Sequence, residues 1–446
     1  MSLDIKNKLT NKILHLSIPV LLGMISYTAI QVSDTYMVAT LGEEAIAATG
    51  IGGLVYFTVL SFLMNGSVGI QILTSRRLGE KRDSAIGKIL VTILVSGLFI
   101  GILISFIGSF FSENLILLIS ENESITANAT KYLSIRFLGT VFFVLLYVLR
   151  GFFDGLGQTF IGMIAAFVTM FSNIFFNWIF IYGNLGISAM GVEGAAIASS
   201  LAGALGFLVF LCFLFQKKIK VLIQLSGFSM DWEVIKNTFS IGFPSALDGS
   251  LTNISFLIFN KIAALISVSS VAGSQIIFSI LTISFMPGMA FGVAATTILG
   301  SGMGSKKFHL AEAGTYRCAK YSAIIMGALG LIFIVTGKEI IFLFGNNIGL
   351  VEEAYPALVA VSLIQIGDAY HMVLGAALRS AGFILWVPLV YFCVSYFIML
   401  PIAYILGIVL GFGTTGLWSS ISIWLLCLFS IFLWKFKQGT WKQKVI

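Results

Sequence analysis

Residues 89–111 read ILVTILVSGLFIGILISFIGSFF, with no charged side chain anywhere in the run. A helix rises 1.5 Å per residue, so about 20 apolar residues cross the hydrocarbon of a bilayer. The run is long enough, and it is one of many. Working outward, about twelve such stretches appear: 13–39, 46–74, 86–111, 126–149, 158–183, 190–216, 236–265, 272–300, 317–345, 353–378, 384–411 and 413–436. Composition agrees. The 446 residues are 58% hydrophobic and only 10% charged, with mean hydropathy +1.02. A soluble domain carries about 25% charged residues, so this chain cannot coat a water-soluble globule. An all-α membrane protein follows, because a helix satisfies its own backbone in lipid.

Charge sets the expected orientation. With a cytoplasmic N-terminus, every basic residue except Lys131, Arg136, Lys261 and Lys338 falls in an inner segment. The outer segments hold Glu43, Glu44, Glu113, Glu121, Glu123, Glu193, Glu339, Glu352 and Glu353. The positive-inside rule then predicts an even number of spans and both termini in the cytoplasm. The expected location is the cell (inner) membrane. The start, Met1 to Lys12, is polar and basic without a convincing cleavage site, so the first span is expected to be retained. The net charge of +7 is explained by topology, and no nucleic-acid partner is expected. Cys212, Cys318, Cys393 and Cys427 lack metal-like spacing and suggest no disulfide framework.

The halves repeat. Pro19 and Pro244 lie 225 residues apart, as do Gly79-Glu-Lys-Arg82 and Gly304-Ser-Lys-Lys307. Leu149-Arg150-Gly151 and Leu378-Arg379-Ser380 form a third pair, 229 apart. Six spans per half bring both halves in from the same side. Two six-helix bundles, 1–216 and 236–446, are expected around a cytoplasmic linker, 217–235, related by a pseudo-two-fold axis along the membrane normal.

Three acids fall inside spans: Asp34, Asp248 and Asp368. A carboxylate at mid-bilayer costs about 2.5–3.5 kcal/mol on insertion scales and marks an ion or proton path by default. Burial disfavours its charged form. A purely structural acid that bonds neighbouring helices is the competing reading. Asp34 has Gln31, Ser33 and Tyr36 nearby. Asn173 and Asn177 are four apart and share a helix face. They could ligate a cation, bind cargo or clamp two helices. Gln365, Asp368 and His371 are spaced by three, and His371 could relay protons or simply accept a hydrogen bond. The abundant phenylalanines suit flat lipophilic cations, although most are expected to face lipid. There is no G-x-x-x-x-G-K-[ST] loop, catalytic triad signature or metal cluster, so neither an enzyme nor a cofactor is expected.

The stretches Asp34-Thr-Tyr-Met-Val-Ala-Thr-Leu-Gly42, Ala45-Ile-Ala-Ala48, Leu149-Arg-Gly-Phe-Phe-Asp-Gly155, Met190-Gly-Val-Glu-Gly-Ala-Ala-Ile-Ala-Ser199 and Leu378-Arg379 resemble the multidrug and toxic compound extrusion (MATE) family. The resemblance covers essentially the whole chain. It implies two lobes around a central cleft and export of organic cations or other amphiphiles, driven by inward H⁺ or Na⁺. It implies that Asp34 couples the cation, with Asn173 and Asn177 as the fifth-span pair and Asp368 as a C-lobe acid. A metal role would be confined to a transient Na⁺ at Asp34. Gln31, Tyr36, Ser199, Gln365 and His371 are cleft or relay candidates. The chain departs from the Na⁺-coupled pattern at Ile364, where a Tyr is expected, and at Thr252, where an acid is expected. Asp248, one turn earlier, is the candidate substitute. The expected mechanism is antiport by alternating access in a monomer, with small organic cations, H⁺ or Na⁺ and the bilayer as partners. The alternative is a flippase for a lipid-linked saccharide or lipid of the same superfamily.

Overall fold

The computed structural model describes residues 3–217, 219–220 and 230–444. Lys218 and residues 221–229 of the expected linker lie outside the described residues. Among the described residues there is no strand. The elements in order are α1 (Leu3–Ala39), α2 (Glu43–Gly79), α3 (Asp83–Phe110), α4 (Ser112–Leu117), α5 (Glu123–Leu138), α6 (Thr140–Gly155), α7 (Thr159–Phe180), α8 (Gly191–Leu214), α9 (Trp232–Ile266), α10 (Val268–Gly304), α11 (Phe308–Gly345), α12 (Ile348–Ser362), α13 (Gln365–Ser380), α14 (Trp386–Val394), α15 (Leu400–Tyr404) and α16 (Gly413–Lys437). π-helical turns at Ser395–Met399 and Ile405–Val409 flank α15. Pro401 has no N–H to close the ladder, and such a break is often absorbed by a wider turn.

Among the described residues, ten helices are long and apolar enough to cross a membrane. Two bent pairs, α5–α6 (46°) and α12–α13 (53°), raise the number to twelve if each pair is one span. This accommodates the twelve stretches read from the sequence. The bends are new. The sequence reads 126–149 and 353–378 as single apolar runs, and hydropathy carries no signal for a break within them. At the first bend, a side chain on Gly139 would run into Ser200.

The repeat is visible in the backbone. Lys81 and Lys306 both adopt the left-handed conformation (φ 57° and 56°). Arg82 N donates to Arg77 O (3.1 Å), and Lys307 N donates to Gly302 O (2.8 Å). The bent pairs start at Glu123 and Ile348 and end at Gly155 and Ser380, again 225 apart. The third sequence pair needs a new register. Gly157 N donates to Asp154 O and Gly382 N to Arg379 O, both at 3.0 Å. Arg379 therefore corresponds to Asp154; Arg150 lies one helical turn earlier. Loop chemistry is conserved to within a turn only, which is why the sequence pairing slipped by four.

Two compact units emerge: residues Ile18–Ala246, and residues Met1–Ser17 together with Leu247–Ile446. Their boundaries fall inside α1 and α9, away from the polar connection 217–235. Side-chain packing explains this. Ile13 and Leu16 belong to the core of the second unit, where Thr10 Oγ1 also lies 3.0 Å from the Tyr321 hydroxyl. In the first unit, Asp231 N donates to Thr92 Oγ1 (3.1 Å), and Phe243 meets the edge of Phe62 (5.9 Å). There α2 and the start of α9 touch backbone to backbone. A Cβ on Gly242 would sit 2.5 Å from the Gly66 carbonyl oxygen, and one on Gly69 would sit 2.6 Å from that of Thr238. Glycine permits this approach, and rigid backbone atoms cannot yield to a larger residue. Gly242→Val is expected to cost at least about 2 kcal/mol. The check is a clear fall in the melting temperature of the detergent-solubilised protein, and an unchanged value would refute the close contact.

Candidate functional site

The first unit holds a cavity of about 480 Å³. Asp34 and Gln31 reach it from α1, Asn173 from α7, Ser199 from α8, Tyr56 from α2 and Arg136 from α5. The four-residue spacing of Asn173 and Asn177 puts both on the inward face of α7, where both are buried. Asn177 Nδ2 donates to Asp34 Oδ1 (2.5 Å) and approaches Asn173 Oδ1 at 3.3 Å. Asn173 Nδ2 donates to Ser199 Oγ (3.2 Å). The chain of amides thus ties α1, α7 and α8 to one carboxylate. Its acceptor side is incomplete: Asn177 Oδ1 is buried with no hydrogen-bond partner. An orphaned carbonyl beside a carboxylate suits a proton donor or a small hard cation, because both groups accept and neither donates.

Tyr36 does not join this set. It is 74% exposed and does not line the cavity. Two residues after Asp34 on a helix, it points well away from it. Arg136, one of the four basic residues outside the inner segments, is not among the site residues expected from the sequence. It lies within the cavity wall, its guanidinium carbon 4.2 Å from the Tyr56 ring centre and 5.3 Å from that of Phe143. The signal was available: Arg136 is ten residues inside the predicted span 126–149.

The second unit brings Gln365, Asp368 and His371 together, all buried on α13. The bend between α12 and α13 places Asp368 in the first turn of α13, where free N–H groups and the helix dipole favour negative charge. His371 Nδ1 lies 3.0 Å from Asp368 Oδ1. The approach is short but misdirected, and both His371 Nδ1 and Asp368 Oδ2 lack a completed hydrogen bond. Ser284 Oγ donates to Gln365 Oε1 (2.5 Å), which leaves Gln365 Nε2 unused. Tyr391, Trp424 and Phe432 surround the imidazole at 5.9–6.4 Å. Asp248, buried on α9, forms an ion pair with the half-buried Arg379 of α13. No group of three or more His, Cys, Asp or Glu side chains could hold a metal among the described residues.

The two units use one frame for different chemistry. At the 225-residue offset, Asp34 corresponds to Phe259; the sixth-span helices start 222 residues apart, at Gly191 and Gly413, so Ser199 corresponds to Ile421. Phe259 is fully buried and meets Trp418 edge-on at 5.5 Å. Where the first unit has a polar cavity, the second has packed rings. Conversely, Gln365, Asp368 and His371 correspond to Thr140, Phe143 and Leu146.

These features define a multi-pass helical membrane protein built from a repeated unit, with a polar cavity around one half-buried acid. The family model for MatE matches residues 19–179 and again 244–405, so it begins at the two repeat prolines. The chain belongs to the MatE family. It is 23% identical over 448 aligned residues to a probable multidrug resistance protein NorM of Thermotoga maritima, covering 98% of this chain and 94% of that protein. It is 27% identical to a probable NorM of Mesorhizobium japonicum (92% and 89% covered). It is 25% identical to the multidrug resistance protein MdtK of Yersinia pseudotuberculosis (91% and 90%). A crystal structure of MATE in complex with MaD5 superposes with a TM-score of 0.89 at 23% identity, covering 99% of this chain and 98% of that one.

Proposed function

We propose that this protein is a secondary antiporter of the cell membrane, exporting organic cations or amphiphilic compounds in exchange for H⁺ or Na⁺ by alternating access of its two units. The observation that carries this reading is the Asp34–Asn177–Asn173–Ser199 chain at the wall of a 480 Å³ cavity. That volume fits a drug-sized molecule. A coupling ion shifts an equilibrium only if its affinity differs between the two states. Asp34, tied to α7 through Asn177, is placed to sense a movement of α1 against α7. The multidrug resistance names of the relatives point the same way. A carrier of lipid-linked diphosphates needs a strongly cationic cleft, whereas this cavity sets one guanidinium against one carboxylate.

Exchange of one monovalent cation for one H⁺ moves no net charge, so the membrane potential contributes nothing. One pH unit then supplies about 1.4 kcal/mol, a tenfold cargo gradient. Stronger accumulation calls for a second ion, and Asp368 is the candidate. The decisive experiment is dye efflux from proteoliposomes with pH and Na⁺ gradients imposed separately. Efflux under neither gradient would defeat the proposal. In the same assay, Asp368→Asn is expected to change the ion dependence and, under a one-unit pH gradient, lower the limiting dye gradient about tenfold per proton lost. Unchanged pH and Na⁺ dependence would assign Asp368 a structural role.

A further inference from the structure

Among the described residues Arg136 is the one cationic side chain in the cavity wall, and the coupling site gives it no task. A guanidinium in a membrane span is costly unless it is paired or wet. Among the described residues Arg136 has no ion-pair partner, and its Nε and Nη1 are enclosed without an acceptor. Asp34 acts on it electrostatically across the cavity, but Asp34 Oδ1 is already held by Asn177. The rings of Tyr56 and Phe143 hold the guanidinium by cation–π contact. Such contacts use the faces of the guanidinium, and of its N–H groups Nη2 alone is not enclosed and remains to meet an anionic group in the cavity. Tyr27, Tyr132 and Phe57 add further aromatic surface to the cavity.

We propose that Arg136 is a cargo-recognition residue that takes an anionic group, so that the cavity is amphoteric and selects aromatic zwitterions over simple cations. The cationic end of the cargo faces Asp34, the anionic end faces Arg136, and the rings pack against its aromatic body. This deepens the antiporter reading and rests on it for the direction of transport, but the binding claim stands separately. The competing role for Arg136 is to set the charge of Asp34. In that case its loss would affect every cation bound there, whether or not it carries a carboxylate.

The test uses two probes that differ only in that group, a carboxyl-bearing rhodamine and its methyl ester. Binding to the full-length purified protein is followed by fluorescence anisotropy. Wild type is expected to bind the free acid at least as tightly as the ester. Arg136→Gln is expected to weaken the acid about tenfold or more, about 1.4 kcal/mol, and to leave the ester within about twofold. Arg136→Lys keeps the charge without the planar, ring-stacked guanidinium and is expected to fall between them; it also serves if the Gln variant does not fold. Parallel loss of acid and ester in both variants would overturn the proposal, as would wild type binding neither probe or preferring the ester. Efflux of the acid by wild-type proteoliposomes separates the two claims: absent efflux with Arg136-dependent binding intact would refute antiport and leave the recognition role standing.

Discussion

Asp34→Asn is expected to insert and fold as wild type does and to lose gradient-driven efflux entirely. Asn is nearly isosteric with Asp, and its carbonyl can still accept from Asn177 Nδ2, the contact now made at 2.5 Å. The chain through Asn173 to Ser199 would survive. What disappears is the charge, and with it the only carboxylate lining the cavity among the described residues. A neutral amide neither takes up a proton nor attracts a monovalent cation strongly enough to replace it. Cargo could still enter the cavity, but no ion would bias the equilibrium between the two states. The measurement is dye efflux from proteoliposomes under an imposed pH or Na⁺ gradient, with reconstitution yield and melting temperature as controls. Efflux at the wild-type rate would remove Asp34 from the mechanism.

Asp248→Asn is expected to give the largest loss of stability. Asp248 is buried and paired with Arg379, and Arg379 also lies over the Tyr391 ring (5.4 Å). Removing the acid leaves a guanidinium in the span with no counter-charge. Breaking a buried pair in this way costs about 3–5 kcal/mol, whereas removing both charges together is often close to neutral. Asp248→Asn should therefore melt well below wild type, and adding Arg379→Gln should restore most of the difference. A single variant as stable as wild type would show that the pair carries no structural load. In that case Asp248 would return as a candidate ion site. The order wild type, double variant, single variant is the outcome that the geometry requires.

The sites differ in how far they could be read in advance. Asp34 stood out because an acid in an apolar run is costly in lipid, and the four-residue spacing of Asn173 and Asn177 already put both on one face. Tyr36 was misjudged because closeness in sequence was taken for closeness in space. On a helix, two residues of separation turn a side chain about 200° away. Arg136 was missed for the opposite reason, since its partners come from other helices. Asp248 looked like a free acid because its partner, Arg379, lies far along the chain.

Hydropathy, charge alternation and the 225-residue offset established from the residues alone a helical membrane protein of about twelve spans with a repeated frame. These follow from the cost of unpaired backbone and charge in lipid, a cost that each residue carries wherever it sits. Packing decided the rest: the bends within α5–α6 and α12–α13, the unit that each helix start joins, the polar cavity in one unit against packed rings in the other, and the pairing of Asp248 with Arg379. Those depend on which side chains meet across helices. Only the folded chain brings Asp34, Asn173 and Arg136 to one cavity, because the energy that selects this arrangement lies in contacts between residues about 40 to 140 positions apart.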